Sequence, residues 1–444
     1  MEKRKGMFRI AFALMAVTLA AGGSPAAGHP DGAAHHNPLP AHATPVMRAF
    51  AADQQAPSTA AATGPAQCSG GSAAGYPCSN VDLLAHLPLA DIGGTRSNRA
   101  ANDIWGWADP QTGKEYAIVG RVFGTSFVDI SDPTEPVYLG QLPTHGPFGS
   151  SWRDIKVHRD HAYIVSEATN HGMQVFDLRQ LRSVSSPPVT FAETAHYNKV
   201  SSAHNVAINE DSGFAYIVGA SGKNSCRGGL HMVDIANPTR PSFAGCFSAD
   251  GYTHDTQCVV YDGPDADYHG REICFNSNED TVTIVDVTAK SAPRQVSRTP
   301  YAGSAYTHQG WLTGDKRYFL LDDELDEQNF GHNTRTRVWD VSDLDAPTVH
   351  RVFDGTTTAI DHNQYVTGGL SYQANYRAGL RIIDATDPAT SELHEVGYFD
   401  IYPADDAAEF NGAWSNYPFF ASGVVVVSGI EQGLFVLRPT LPAS

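Results

Sequence analysis

The chain has 444 residues, about three times the size of an ordinary single domain, so it is either several domains or one large repetitive one. Hydrophobic residues make up 41% and charged residues only 18%, which excludes a chain disordered throughout. A formal charge of -18 argues against a nucleic-acid partner, because phosphate recognition needs clustered Lys and Arg; cationic and neutral ligands stay open.

Lys3, Arg4, Lys5 and Arg9 precede or enter an apolar run over residues 10–21, and small residues after it offer cleavage sites. Residues 1–28 therefore read as a signal peptide, too short in its apolar part to stay as an anchor. The mature chain is expected to be secreted and extracellular, with the periplasm as the alternative, and to carry no membrane span. Residues 29–67 are rich in Ala, Pro, Gly and His and read as a flexible leader. His29, His35, His36 and His42 in it fit a solvated linker better than a metal site. Six cysteines in an exported chain read as disulfides. Spacing pairs Cys68 with Cys78, Cys226 with Cys246 and Cys258 with Cys274, although sequence alone leaves other connectivities open. No C-x-x-C or paired-His spacing supports a zinc site in their place.

From residue 101 onward the chain repeats an apolar strand that ends in Asp and runs into a turn, as in Thr125-Ser-Phe-Val-Asp-Ile130 and Val282-Thr-Ile-Val-Asp-Val287. Asp129, Asp177, Asp234, Asp286, Asp340 and Asp384 stand 48, 57, 52, 54 and 44 residues apart, and Gly433-Leu-Phe-Val-Leu437 is a degenerate seventh copy. That period matches a four-stranded propeller blade with variable loops. Each Asp leads into turns such as Ser131-Asp-Pro133, where its carboxylate is expected to accept turn N–H groups. The seventh copy ends without a fourth strand, while Leu83-Leu-Ala-His-Leu-Pro88 resembles the fourth-strand pattern Tyr138-Leu-Gly-Gln-Leu-Pro143. Residues 68–440 are thus expected to form an all-β, seven-bladed propeller, closed when residues near 81–89 pair with the last repeat.

The Leu-Val-Ile-Val-Asp style repeats, the opening Cys68-Ser-Gly-Gly-Ser-Ala-Ala-Gly-Tyr-Pro-Cys78, and Asn102-Asp-Ile-Trp-Gly-Trp107 resemble the choice-of-anchor B family of exported bacterial proteins with LVIVD-type repeats. The resemblance spans roughly residues 68–438. It implies a secreted or surface-held propeller of unassigned role. Family members often end in an anchoring segment; this sequence stops just after the last repeat, which favours a released protein.

In a propeller the loop entering the innermost strand and the loop leaving the second strand open on one face, because the two strands are antiparallel neighbours. Entry positions include Asp103, Asp154, His204, His254 with Asp255, His308 and His362; exit positions include Glu167 and Asp322, Asp323 and Glu324. These residues form a candidate ligand-binding funnel. Imidazoles and carboxylates at one mouth can hold a divalent cation, calcium or a transition metal, or act as acid and base. Recurrence of the His in every middle blade instead favours a structural use, with each side chain bonded across neighbouring blades. Asp322-Asp-Glu-Leu-Asp-Glu327 would suit calcium, yet lacks the spacing of a calcium loop and reads as an acidic solvated loop. No nucleophile elbow, P-loop or H-E-x-x-H is present. The expected function is that of a non-enzymatic extracellular binding or scaffold propeller engaging a protein or glycan. The alternative is a metal-assisted hydrolase or lyase working in the funnel.

Overall fold

The computed structural model describes residues 62–95, 100–389 and 392–441. The signal peptide expected over residues 1–28 and the leader up to residue 61 lie outside them. Runs of Val, Ile and Tyr three to five residues long, bounded by Gly, Asn and Asp, become short antiparallel strands, since β-branched and aromatic side chains pack well on a pleated surface covered on both faces. The innermost strands of the seven blades are Ala101–Ala108, Arg153–His158, Asn205–Asn209, Asp255–Val260, Thr307–Leu312, Gln364–Thr367 and Ala413–Tyr417. Each contacts the innermost strand of the next blade, and the seventh contacts the first, so the described residues form a closed seven-bladed ring.

Closure is as the missing fourth strand requires. Val81–Pro88 pairs antiparallel with Gly433–Pro439, from Val81 opposite Pro439 to Pro88 opposite Gly433. The last blade therefore takes its outer strand from before the first blade, which closes the ring of described residues between its first and last repeats. Thr63 and Ala66 in turn bridge to His86 and Leu83, so the last residues assigned to the leader lie along the closing strand, where they partner its outer backbone groups.

Apolar clusters fill the gaps between successive blades. Leu83, Leu380, Phe399, Phe435 and Leu437 join blades 6 and 7, and Ile104, Val119, Val426 and Val436 join blades 7 and 1. Three disulfides use all six cysteines, in the pairings the spacing indicated. Cys258 and Cys274 stand opposite each other on the first two strands of blade 4, with Cα atoms 4.0 Å apart. The six repeat aspartates accept turn N–H groups two residues on, at 2.9–3.0 Å, from Ser131, Arg179, Ala236, Thr288, Ser342 and Thr386. A short helix, Asp326–Phe330, interrupts the otherwise β connection after the second strand of blade 5.

Candidate functional site

The axis has two mouths with different chemistry. At the mouth where inner strands begin, four successive blades each place a histidine on the axis side. Ring centroids lie 4.2 Å apart for His204 and His254, 4.3 Å for His254 and His308, and 4.5 Å for His308 and His362. All four are buried, at 5%, 1%, 1% and 3% exposure, and the space among them is only about 10 Å³.

One nitrogen of each ring is committed. Nδ1 of His204 meets Glu167 Oε1 at 2.6 Å, and that of His308 meets Asp322 Oδ1 at 2.9 Å. Nδ1 of His254 donates to the His308 carbonyl oxygen at 3.0 Å, and that of His362 to the Trp414 carbonyl oxygen. Three of these bonds reach a neighbouring blade, in keeping with a structural use. The other edges of His308 and His362 face one group: Nε2 of His308 lies 3.9 Å and Nε2 of His362 3.6 Å from the Glu324 carboxylate. Tyr376 O–H donates to that carboxylate at 2.8 Å. Tyr376 and Trp414 were not singled out in the sequence, because neither belongs to the repeated entry and exit positions.

The remaining predicted residues divide. Asp103 accepts from Ile155 N at 3.0 Å and Asp154 from Val206 N at 2.7 Å, each tying its blade to the next, and both surround Lys156, whose Nζ is 2.7 Å from Asp154 and 3.7 Å from Asp103. Burial pushes the Asp103 carboxyl well above the usual carboxylate range; Asp154 is equally buried, but Lys156 and its hydrogen bonds hold it below that range. Asp323 turns away from the axis and accepts from Tyr301 O–H, Ala305 N and Tyr306 N. The reading of residues 322–327 as a solvated loop does not hold. Asp322, Asp323, Glu324, Asp326 and Glu327 are at most 2% exposed, because the second strand of blade 5 runs on through Asp323 and Arg337 Nη2 meets Asp326 at 2.5 Å. Glu327 is pushed up to about 12 by burial first, then by Asp361 and Asp326.

At the opposite mouth the inner strands end around an open cavity of about 440 Å³. Aromatic residues of blades 1, 5, 6 and 7 form one side: Trp105, Trp311, Tyr365, Tyr417 and Phe419. Trp105 lies 5.5 Å from Tyr365 and 5.1 Å from Tyr417, and Trp311 5.0 Å from Tyr365, all edge to face. Blades 2 to 4 supply a polar side with Lys156, Asn209, Glu210, Asp211, Asp255 and Gln257. Lys156 Nζ stands 4.6 Å over the Trp105 ring. Asp255 opens here rather than into the histidine ring, and its carboxyl is raised to about 7, by burial first and by Asp154 against the pull of Lys156. Nothing in the sequence pattern announced this cavity; its aromatics recur inside apolar strands, where core residues are expected.

Ring closure, the axial cavity and the repeat turns define the protein as a seven-bladed β-propeller. Residues 115–144 and 201–248 match the LVIVD repeat, so the chain carries LVIVD repeats. No curated protein matches it. Among solved structures it is similar to a chain of Kuenenia stuttgartiensis hydrazine synthase, with TM-score 0.53 and 11% identity over 79% of this chain and 98% of that one. It is also similar to the Cps50 (Swd1) β-propeller domain of Myceliophteria thermophila, with TM-score 0.46 and 12% identity over 77% and 97% of the two chains. At such identity the first likeness shows the fold alone.

Proposed function

We propose that the chain is an exported, non-enzymatic binding propeller of the choice-of-anchor B kind, and that its axial cavity takes a neutral saccharide. Three disulfides fit an extracellular or periplasmic setting, and no helix among the described residues is long and apolar enough to cross a membrane. The observation that carries the reading is the two-sided cavity. Its volume of about 440 Å³ lies in the range of small-molecule sites, and its polar groups converge from one side only. A sugar ring offers an apolar C–H face and a rim of hydroxyls. The first stacks on Trp105, Trp311 and Phe419; the second bonds to Asp211, Asp255 and Gln257. The acidic balance of the chain favours a neutral glycan over an anionic one.

The alternative, a hydrolase or lyase working through the four histidines, finds less support. Those rings are nearly inaccessible, and about 10 Å³ admits an ion or a water and no substrate. Titration of the mature chain with a panel of neutral oligosaccharides, followed by calorimetry and tryptophan fluorescence, tests the proposal. At least one should bind, and Trp311→Ala and Asp211→Asn should each weaken it at least tenfold. A panel without a binder, or binding indifferent to both changes, overturns it.

A further inference from the structure

We propose that Asp326, Glu327 and His332, with Asp361 beside them across the blade boundary, form a site for one divalent metal ion, manganese or zinc. It lies between blades 5 and 6, on the histidine side of the ring, and does not rest on the saccharide reading.

The first support is distance. One atom each from Asp326, Glu327 and His332 lie within 4.8 Å of one another, and His332 Nε2 stands 3.6 Å from Asp326 Oδ2. That separation is too long for a direct hydrogen bond. It suits ligands that share an ion, since atoms about 2.0–2.2 Å from one metal stand roughly 3–4 Å apart. Asp326 and Glu327 open the short helix of blade 5, His332 follows it, and Asp361 precedes the inner strand of blade 6.

The second is the want of donors. Glu327 and Asp361 are 2% and 3% exposed, yet no other residue donates to either oxygen of either carboxylate, and Asp326 Oδ1 is equally bare. What Glu327 meets is the Asp326 carboxylate, acceptor against acceptor. A buried carboxylate without a donor is costly. His332 donates Nδ1–H to the Asn333 carbonyl oxygen at 2.8 Å, which leaves a lone pair at Nε2, and that nitrogen has no hydrogen-bond partner. Lone pairs of three side chains thus gather at one place, where a cation satisfies them.

The third is charge. Arg337 Nη2 meets Asp326 at 2.5 Å and offsets one of the three negative charges; a divalent ion offsets the other two. Protons are the competing occupant. Burial, then Asp361 and Asp326, push the Glu327 carboxyl up to about 12, and burial, then Asp322 and Asp326, hold Asp361 well above the usual range. Protons on the carboxyls, however, leave His332 Nε2 unsatisfied. The half-buried ring of His332 gives an ion its entry. Carboxylates with one imidazole favour manganese or zinc over calcium and magnesium, which prefer oxygen donors alone.

Metal-free mature chain, prepared by chelator dialysis without a histidine tag, is titrated with Mn²⁺ and, separately, with Zn²⁺. Elemental analysis after gel filtration counts the bound metal, and the thermal midpoint is followed. One of the two ions should stay bound at one per chain and raise the midpoint. Glu327→Gln keeps the shape of a protonated Glu327, and His332→Ala changes a partly exposed ring; each should weaken that ion at least about tenfold and abolish the midpoint shift. The pair His145→Ala and His196→Ala, at a partly exposed cluster elsewhere, should leave both unchanged. Leader histidines are present in every variant, so any metal they hold cancels in the comparison. Should Glu327→Gln fail to fold, His332→Ala decides alone. A wild-type midpoint that ignores both ions overturns the site and assigns the cluster to protons. So does metal binding that Glu327→Gln or His332→Ala leaves intact.

Discussion

Replacing Asp255 by Asn tests whether the polar floor of the cavity holds a strained charge. Asp255 is half-buried beside Asp154 and Lys156, accepts Thr256 N at 2.6 Å, and has its carboxyl raised to about 7. A raised carboxyl means that the folded state keeps a proton which the unfolded chain releases near pH 4. The resulting stability is fully present below about pH 4 and is lost as pH rises through about 7. Three pH units at about 1.4 kcal/mol each give roughly 4 kcal/mol. Water in the open cavity screens part of this, so about 2–4 kcal/mol is the working range. Asn at the same position does not titrate. The stability of Asp255→Asn relative to the wild type should therefore grow by about 2–4 kcal/mol between pH 4 and pH 8. Guanidinium unfolding at pH 4, 6 and 8 under oxidising conditions measures it, with the slope m unchanged between the two proteins. A difference that is flat with pH, or that grows as pH falls, refutes the reasoning.

Two further expectations follow from the fold. Changing Cys258 and Cys274 together to Ala removes a bridge spanning 16 residues, worth about 3 kcal/mol by chain entropy and less here because paired strands already hold the loop; an unchanged guanidinium midpoint would count against it. Leu83→Ala empties a position 1% exposed on the closing strand and should cost about 2–5 kcal/mol with loss of monodispersity on gel filtration, whereas a cost under about 1 kcal/mol would show that closure depends little on this strand.

The ring was legible because its signals are local and repeated. A strand ending in Asp needs only its own turn, and six copies of that turn bond as their spacing indicates. The missing outer strand of the last repeat was legible by subtraction, since a propeller leaves no strand unpartnered. Burial of residues 322–327 was not legible, because the groups that make it tolerable are remote in sequence. Arg337 comes from the next strand, His362 and Tyr376 from the next blade. The aromatic cavity was hidden for the opposite reason. Trp105, Trp311, Tyr365 and Tyr417 look like core residues in strands, and only the ring geometry makes their faces converge at one mouth.

The entry positions show why recurrence and function are hard to separate from sequence. In blades 1, 2 and 5 a side chain at the entry position ties the inner strand to the next: Asp103 to Ile155, Asp154 to Val206, Gln309 to Gln364. In blade 4 the equivalent position is Asp255, but the tie is made two residues later, by Gln257 accepting Leu312 N at 2.8 Å. Asp255 keeps a side-chain hydrogen bond to Asn205 of blade 3 and otherwise stands between the cavity and the Asp154–Lys156 pair. Blade 5 departs differently: its entry histidine bonds within its own blade, to Asp322, and so turns its second nitrogen toward Glu324 and the histidine of blade 6. Where Gln257 makes the tie in blade 4, the entry carboxylate Asp255 lines the cavity while still bonded to Asn205 of blade 3, so one repeated position serves the ring and the candidate site together, and recurrence alone does not mark it as structural.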